Sequence, residues 1–339
     1  MLYFTLQKSL SFICIVLLSL AFSPVSAEQP KLLRYEYTQI HMGVQARIVL
    51  YAKDREQAES AVIAAFHRFA QLEDIMSDYR PTSELMRLCK KSGRSPVSIS
   101  SELLLVLEKA EELAERSHGA FDVTVSPLVK LWRTARKTRV LPSKEEIQRA
   151  KNRVGWQYLK LNKEKQTAQL LRPDMLLDLG GIAKGYAGDE AQTILKKHGI
   201  QSALVEAGGD IVVSNSPPNE KGWRIEIEQP LKGSDKYLVV SNCAVSTSGD
   251  TAQFVEIGGR YYSHVVDPKT GYGLSDHIAV TVVAPNGLTS DALSTAISVL
   301  GRRRGLRLVK QYLGVSASIR YVAPPSPALD PEITPLLPP

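Results

Sequence analysis

Residues 175–198 read MLLDLGGIAKGYAGDEAQTILKKH and combine a short apolar run, two adjacent glycines and a helical pattern. The apolar run is interrupted by one carboxylate, Asp178, and predicts a buried strand. Gly180 and Gly181 allow a tight turn and the close approach of a ligand to the backbone. Apolar residues then recur at helical spacing up to Gly199, a typical C-cap glycine. The stretch therefore predicts a strand, a glycine corner and a helix.

The predicted helix carries a basic side chain, Lys184, in its first turn, which favours the binding of an anion. A structural interpretation stands beside this one, because strand–glycine–helix corners are common and Asp178 could simply cap the helix. The spacing fits neither a G-x-G-x-x-G dinucleotide fingerprint nor a Walker P-loop. From these residues alone, a ligand site and a purely structural corner stay equally open.

The composition is that of a globular protein. The chain has 339 residues, of which 44% are apolar and 23% charged, and this predicts a substantial core. A formal net charge of +7 and a pI of about 9.2 make it basic. We interpret the basic residues as scattered, and the arginine run at 302–304, which lacks interleaved aromatics, as a solvated helix face. The charge favours anionic ligands and does not predict a nucleic-acid partner.

The N-terminus has the pattern of a secretory signal peptide. Lys8 precedes an apolar stretch at 10–22, and Val-Ser-Ala at 25–27 supplies small residues at the expected cleavage position. We therefore predict a signal peptide over 1–27 and an exported, periplasmic, soluble mature protein, since the apolar core is short for a membrane span. Cys14 lies inside this segment without a lipobox before it.

Cleavage would leave two cysteines, Cys89 and Cys243. Export permits a disulfide between them, but two buried free thiols fit the sequence at least equally well. No Cys/His cluster has the spacing of a zinc site.

Helical and strand patterns are mixed along the mature chain. Residues 44–51 alternate apolar and polar side chains, as a half-buried strand does. Residues 55–76 place their apolar side chains on one helical stripe, and a second long helix follows the serine-rich start at 98–101 and closes at Gly119. The shorter predicted elements are a strand-like segment at 119–124, a capping box at Ser143 and Glu146, and strands at 157–162, 167–172, 202–206 and 223–228.

The domain organisation follows from these patterns. The absence of a regular βαβα order favours an α+β fold over a doubly wound sheet. No linker interrupts the chain between 30 and 323, so that one continuous domain is predicted over 28–323. Residues 324–339 are rich in proline and are predicted to be a disordered tail.

A carboxylate and a hydroxyl are predicted on one helix face near the C-terminus. The helix is predicted to start at Ser290, a residue type that is common at the N-cap. Asp291 and Thr295 are four residues apart and therefore share one face. Together they suit a hard, oxygen-binding cation such as Mg²⁺. The alternative is that Asp291 complements the helix dipole and Thr295 packs against a neighbour.

Two further segments carry side chains that fit either catalysis or turn formation. His264 fits a general base or a structural hydrogen-bonder, and Asp267 fits a cap of the turn around Pro268. Residues 246–250, Ser-Thr-Ser-Gly-Asp, are predicted to be a hydroxyl-rich loop that binds phosphate or only turns the chain. Neither segment contains the G-x-S-x-G pattern of a nucleophile elbow.

Eight short motifs follow one another along the chain. They are Met42-Gly43, Ser77 to Leu85, Gly119 to Asp122, Asp178 to Gly185, Gly208 to Ile211, Ser246 to Gly249, His264 to Gly271 and Asp291 to Ala296. Their order resembles that of the ApbE family of FAD:protein FMN transferases, over about residues 42–321. The chain departs from the family at Val44, where a threonine often follows Met-Gly, and one hydroxyl is lost there.

The resemblance implies an α+β fold, namely a single ApbE-like (T-fold-related) domain with mixed or antiparallel sheets flanked by helices. It implies a Mg²⁺-dependent enzyme that attaches FMN from FAD through a phosphoester to a Thr or Ser of another protein and releases AMP. The implied acceptors are flavin-carrying subunits or domains of membrane-associated redox complexes. The residues that would contact FAD are Met42, Tyr79, Ala120, Phe121, Asp122, Asp178, Lys184 and Val265. Those that would hold the metal are Asp291, Thr295 and the carbonyl oxygen of Gly181.

The residue types suit this chemistry. Cleaving a pyrophosphate places charge on its non-bridging oxygens and on the departing AMP, so that a cation is the main need, and Lys184 adds positive charge. The acceptor supplies the attacking hydroxyl, and His264 and Asp267 are the candidates for a base. Two alternatives stay open: an FAD pyrophosphatase that yields FMN and AMP, and a FAD-binding protein without turnover. The pair Asp291/Thr295 argues against the second, because storage needs no transition-state cation.

Overall fold

An antiparallel sheet of seven strands lies at the centre of the protein. The structure, a computed structural model, describes residues 31–226, 237–249 and 254–321. Its strands are β1 (Leu33–His41), β2 (Val44–Ala52), β3 (Val97–Ser98), β4 (Leu159–Asn162), β5 (Thr167–Leu170), β6 (Ala203–Ala207), β7 (Asp210–Val213), β8 (Trp223–Glu226), β9 (Tyr237–Val240), β10 (Cys243–Gly249), β11 (Phe254–Ile257), β12 (Arg260–Ser263), β13 (Ile278–Ala284) and β14 (Ser316–Tyr321). Its helices are α1 (Arg55–Met76), α2 (Glu84–Cys89), α3 (Ser101–Arg116), α4 (Ser126–Thr138), α5 (Lys144–Lys151), α6 (Ala183–Lys197) and α7 (Gly287–Val309).

The order of the central sheet is β1-β2-β6-β7-β10-β13-β14, and every neighbouring pair is antiparallel. One face of the sheet is buried. In strand β13, for example, residues alternate between buried and half-buried, as successive side chains point to opposite faces. Helices α1, α6 and α7 cover that face and form the main core with it. The antiparallel order places the turns 42–43 and 208–209 at the same end of the sheet, beside the start of α6.

Two smaller clusters lie outside the main core. The β8–β9 hairpin buries Trp223 against Leu204 and Val245 of the central sheet. Helices α4 and α5 pack around Trp132 with the β11–β12 hairpin, and the indole nitrogen of Trp132 donates to the carbonyl oxygen of Gly271 (2.8 Å). This bond ties the segment after β12 to helix α4.

The structure confirms the α+β fold and most of the predicted local elements. Helix α1 spans the predicted 55–76, the carboxylate of Asp54 caps it, and its apolar stripe is buried. The capping box is formed in both directions, since Ser143 accepts from the amide of Glu146 (3.1 Å) and Glu146 accepts from the amide of Ser143 (2.8 Å). Gly199 follows α6 with a φ of +81°, as a glycine beyond a C-cap does.

Two predicted strands are wrong. Residues 175–179 alternate between buried and half-buried but lie outside every sheet of the described chain, because other groups accept from their amides. The Ser92 hydroxyl accepts from Met175, the Cys89 sulfur from Leu177 and the Val123 carbonyl from Asp178. The segment at 119–124 ends in a short 3₁₀ helix at Val123–Val125 that the Asp122 carboxylate caps.

Two other local predictions are also corrected. Residues 246–249 belong to strand β10 rather than to a loop, and residue 250 lies outside the described residues. Ser290 does not cap α7: that helix begins at Gly287 behind Asn286, whose side chain accepts from the amide of Thr289 (2.9 Å). The hydroxyl of Ser290 instead lies 2.7 Å from that of Ser246 on β10.

The remaining expectations concern the cysteines, the arginine run and the termini. Cys89 and Cys243 are free thiols, the first buried and the second half-buried. The arginines at 302–304 are exposed, as predicted. The predicted signal peptide and the predicted tail at 324–339 lie outside the described residues and stay predictions. Within the described part of the chain, none of the helices has the length and apolar character that a membrane crossing requires.

Candidate functional site

The site begins where helices α6 and α7 cross at two glycines. A Cβ on Gly185 would lie 2.0 Å from the carbonyl oxygen of Gly287, and one on Gly287 would lie 2.3 Å from the carbonyl oxygen of Gly185. No side chain fits between backbones this close, so that only glycine allows the crossing. A third glycine, Gly181, lies just before α6, where a Cβ would be 2.8 Å from the hydroxyl of Thr295.

This crossing brings the three predicted metal ligands together. Asp291 is one helical turn beyond Gly287 on α7, and its Oδ2 accepts from the amide of Gly185 (3.0 Å). Thr295, one turn further, lies against Gly181. The grouping of Gly181, Asp291 and Thr295 at one helix contact is therefore a feature of the structure.

A buried lysine and a second aspartate complete what we call the carboxylate–lysine cluster: Lys184, Asp210 and Asp291. The ammonium of Lys184 lies 2.5 Å from Oδ2 of Asp210 and 3.7 Å from Oδ2 of Asp291. Asp210 is the first residue of β7 and follows the turn Gly208-Gly209. Sequence reasoning did not include Asp210 among the site residues; the recurrence of a Gly-Gly pair beside an aspartate was the available signal.

When both of its carboxylates are ionised, the cluster holds two negative charges and one positive charge. Burial alone would lower the pKa of Lys184, but Asp210 and Asp291 outweigh burial and raise it. Burial, followed by the negative charge of Asp210, raises the pKa of Asp291, while Lys184 and the Gly185 amide oppose that rise. Two carboxylates thus surround one ammonium, and a further cation beside Asp291 would relieve their repulsion.

The donor set fits Mg²⁺. In the described ranges no group of three or more His, Cys, Asp or Glu side chains could hold a metal. Mg²⁺ does not need such a group, because it binds oxygen, keeps several waters and is often held by one or two carboxylates plus substrate phosphates. The Asp291 carboxylate, the Thr295 hydroxyl and the Gly181 carbonyl are oxygen donors of this kind.

A second charged group, which we call the Arg133 cluster, contains Asp78, Tyr79, Arg133 and Asp178. The guanidinium of Arg133 on α4 donates to Asp78 (2.5 Å) and to Asp178 (3.0 Å) and lies over the ring of Tyr79, 4.3 Å from its centroid. The other oxygen of Asp178 accepts from the amide of Gly180 (2.8 Å). Burial and the charge of Asp78 raise the pKa of Asp178. Arg133 thus brings together two predicted FAD contacts, Tyr79 and Asp178; no local pattern marked Arg133 itself.

Arg136 lies one turn after Arg133 and has an unsatisfied nitrogen. Its Nη1 is inaccessible to solvent and has no hydrogen-bond partner. Burial, together with the positive charge of Arg133, lowers the pKa of Arg136. An unpaired buried donor is costly, so Arg136 holds a positive charge next to Arg133 without a partner for this nitrogen.

Of the other predicted FAD contacts, Met42 and the segment 120–122 have clear structural roles. Met42 forms the β1–β2 turn with Gly43, at φ values of +50° and +74°. Ala120 and Phe121 are buried, and the Asp122 carboxylate accepts from the amide and hydroxyl of Thr124 and from the amide of Trp156. The Asp122 side chain is therefore engaged within its own loop.

His264, Val265 and Asp267 follow strand β12 and pack on the α4 side of the molecule through their neighbour Val266. Oδ1 of Asp267 accepts from the amide of Lys269 (2.8 Å), and its backbone closes the same turn. The predicted turn cap is thus confirmed for Asp267. The amide of Val265 donates to the hydroxyl of Ser263 (3.1 Å). A role as base for either His264 or Asp267 stays a prediction.

Comparison with known proteins shows the family of the chain. The sequence model of the ApbE family matches residues 42–319. The chain belongs to the ApbE family. Two curated relatives are each named "FAD:protein FMN transferase". The one from Treponema pallidum is 33% identical over 302 residues, covering 84% of this chain and 83% of the relative. The one from Haemophilus influenzae is 35% identical over 265 residues, covering 74% and 77%.

Solved structures of similar proteins have the same fold as this ApbE family member. The apo form of the Pseudomonas stutzeri flavinyl transferase ApbE superposes with a TM-score of 0.75 at 32% identity, over 84% of this chain and 90% of that chain. The flavin transferase ApbE from Vibrio cholerae superposes with a TM-score of 0.76 at 28% identity, over 85% and 93%. The predicted ApbE-like fold is confirmed.

Proposed function

We propose that this ApbE family member is a Mg²⁺-dependent FAD:protein FMN transferase that links FMN to a threonine or serine of an acceptor protein and releases AMP. The names of its relatives support the overall activity. The observation that carries the proposal is the set of buried oxygen donors at the α6–α7 crossing, beside the carboxylate–lysine cluster with its excess of negative charge. Such a site suits a cation and the phosphates that it would bind.

The reaction replaces the phosphoanhydride bond of FAD with a phosphoester bond to the acceptor. The hydroxyl oxygen of the acceptor forms a bond to the phosphorus of the FMN half, the bond from that phosphorus to the bridging oxygen breaks, and AMP leaves with that oxygen. The hydroxyl proton goes to a base, for which His264 and Asp267 are the candidates. When bound by Asp291, Thr295 and the Gly181 carbonyl, Mg²⁺ would neutralise charge on the pyrophosphate oxygens.

The chain's own residues would contribute by positioning charge. Asp210 holds the ammonium of Lys184 beside Asp291, so that this positive charge is fixed at the edge of the proposed metal site. On the other side, Arg136 adds a second positive charge next to Arg133, which favours an anionic group of the dinucleotide nearby. The residues proposed to contact FAD are those named by the resemblance: Met42, Tyr79, Ala120, Phe121, Asp122, Asp178, Lys184 and Val265.

The place of action is also part of the proposal. The pattern at 1–27 supports export to the periplasm with cleavage after Ala27. Acceptors there would be flavin-carrying subunits or domains of membrane-associated redox complexes. N-terminal sequencing of the protein recovered from the periplasmic fraction tests the cleavage site, and an uncleaved N-terminus would contradict it.

The activity is tested by mass spectrometry of an acceptor domain incubated with the mature protein, FAD and Mg²⁺. We expect the acceptor to gain the mass of one FMN, with one AMP released per acceptor. Free FMN and AMP with an unmodified acceptor would indicate a pyrophosphatase instead. FAD binding without AMP release would indicate a binding protein without turnover.

The proposed metal site is tested by Asp291→Asn, which preserves size but removes the negative charge. We expect FMN transfer at saturating FAD to fall by about a hundredfold or more, because the main ligand charge is lost. Ser298→Ala is the matched control, since Ser298 is another buried polar residue of α7 that bonds to Ser248 rather than to the cluster. Full activity of Asp291→Asn would show that the proposed metal site is wrong.

A further inference from the structure

The net charge of the protein is concentrated in one pair of helices. Residues 126–154, which contain α4 and α5, hold nine basic and two acidic side chains, a net charge of +7 that equals the formal net charge of the whole chain. The interpretation of the basic residues as scattered is therefore wrong for this region. The nine basic residues are Lys130, Arg133, Arg136, Lys137, Arg139, Lys144, Arg149, Lys151 and Arg153.

Within the described ranges, few of these basic side chains form an ion pair. Among the ion pairs of the described residues, Arg133 is the one member of the set that takes part, through Asp78 and Asp178. Lys137, Arg139, Lys144 and Arg149 are exposed. We call the surface formed by residues 126–154 the basic α4–α5 surface.

The basic α4–α5 surface contains a cleft. Its volume is about 320 Å³, and Lys130, Arg149 and Arg153 line it. Glu146 also lines it, but one of its oxygens is bound by the Ser143 amide of the capping box. The cleft therefore presents three cationic side chains and one carboxylate, and its net positive charge suits a carboxylate-bearing ligand.

The position of the cleft connects it to the site already described. Leu176 lines the cleft and lies two residues before Asp178, a member of the Arg133 cluster. The connection between α4 and α5, which belongs to the basic α4–α5 surface, exposes Val140 and Leu141 directly after Arg139, at 65% and 42%. Cationic side chains next to exposed apolar ones are typical of a surface that binds another protein.

We propose that the basic α4–α5 surface docks an acidic segment of the protein that accepts FMN, an inference that rests on the proposed function. A concave cleft between two helices fits a peptide segment, whereas a membrane presents a flat plane of charge. Trp132 is the single aromatic residue of 126–154 and it is buried, so that the stacking used to bind single-stranded nucleic acid is missing from this surface. Docking here would hold the acceptor hydroxyl close to the Arg133 cluster and raise its local concentration.

Direct binding tests the surface with the mature full-length protein. The probes are fluorescein-labelled octaglutamate, octaglutamine, a DNA octanucleotide and phosphatidylglycerol vesicles, all at low ionic strength. We expect octaglutamate to bind and the double variant Arg149→Glu/Arg153→Glu to weaken its binding by about tenfold or more. The matched control Arg302→Glu/Arg303→Glu makes the same charge change on an exposed helix face without the cleft and should alter binding by less than about twofold.

Three results would overturn the proposal: equal loss in both double variants, binding of octaglutamine equal to that of octaglutamate, or tighter binding of the DNA or the vesicles that is lost with Arg149 and Arg153. A second experiment, steady-state kinetics of FMN transfer, then connects docking with activity. With an acceptor domain as substrate, Arg149→Glu/Arg153→Glu should raise the KM for the acceptor by about tenfold and leave the KM for FAD within about twofold. A wild-type protein that leaves every acceptor unmodified would refute the proposed function, while octaglutamate binding alone would still decide the docking surface.

Discussion

The carboxylate–lysine cluster and the Arg133 cluster lie on either side of the segment 178–184, and each places two carboxylates around one cation. The two clusters differ in the contacts that fix their geometry. The first is fixed by backbone contact between glycines of α6 and α7, whereas the second is held by side chains around a guanidinium. They also differ in their surroundings, because Arg136 adds a second positive charge next to Arg133. A buried excess of negative charge on one side and a spare cationic donor on the other is an arrangement that suits a metal ion and an anionic dinucleotide.

The largest effect should come from separating the two helices that build the carboxylate–lysine cluster. Gly185→Ala places a Cβ on the backbone of Gly287, so the crossing must open, and we expect the free energy of unfolding to fall by about 4 kcal/mol. Denaturant unfolding measures this change. Gly188→Ala is the matched control one turn along α6, where the added Cβ would lie 2.7 Å from a methyl group of the buried Val212 rather than against backbone. Overpacking against this methyl is partly offset by better helix propensity, and a loss of about 1–2 kcal/mol is expected.

An equal loss in the two glycine variants would contradict the view that backbone contact builds this cluster. It would mean that general crowding of α6, rather than the contact with Gly287, limits what this helix tolerates.

The next largest effect is a pH dependence of the α6–α7 contact, isolated by comparing the wild type with an Asp189 variant. Asp189 on α6 accepts from the amides of Gly287 (2.6 Å) and Leu288 (2.9 Å) at the start of α7. Burial raises its pKa to about 6, against the two amide bonds that lower it, while Glu190 adds a small rise. The carboxyl group of Asp189 therefore binds its proton more tightly in the folded protein than in the unfolded chain. Its contribution to stability is complete below about pH 4 and is lost as the pH rises through about 6.

The size of this effect follows from the shift in the pKa of Asp189. We expect the difference in unfolding free energy between the wild type and Asp189→Asn to decrease by about 2 kcal/mol between pH 4 and pH 7. Urea unfolding at several pH values measures it, and the carboxyl ¹³C signal of Asp189 reports the titration directly. A difference that does not change with pH would show that the two amides keep Asp189 ionised.

The smallest effect is expected at the exposed edge of the Arg133 cluster. Tyr79 is 74% exposed, and its ring lies under the guanidinium of Arg133. Removing the ring in Tyr79→Ala should cost about 1 kcal/mol of stability, because an exposed cation–π contact contributes little. If the ring also stacks on FAD, as proposed, titration of FAD fluorescence should show a Kd raised by about tenfold in Tyr79→Ala. Tyr79→Phe keeps the ring and should match the wild type in both measurements; a loss in this variant would assign the effect to the hydroxyl.

The sequence predicts those parts of the fold that depend on neighbours along the chain. The bounds of α1, the capping box of α5 and the glycine after α6 follow from periodicity and caps that act within a few residues. Strand β1 was missed because it is an edge strand whose residues are mostly exposed, so that apolar alternation is weak. The segment 175–179 was misread as a strand because an apolar run reports burial, and a buried loop gives the same signal when side chains and a loop carbonyl take its amides.

For the site, motif order alone indicated the family and the grouping of Gly181, Asp291 and Thr295, because those residue types are recognisable wherever they lie in space. The partners of these residues were decided by tertiary structure. Asp210 meets Lys184 across 26 positions, and Arg133 meets Asp178 and Asp78 across 45 and 55. Such contacts depend on how a glycine crossing, a sheet end and helix α4 pack together, and no local period encodes that packing. The sequence by itself determined the helices, the glycines and the family; only the folded chain determined which charges face one another.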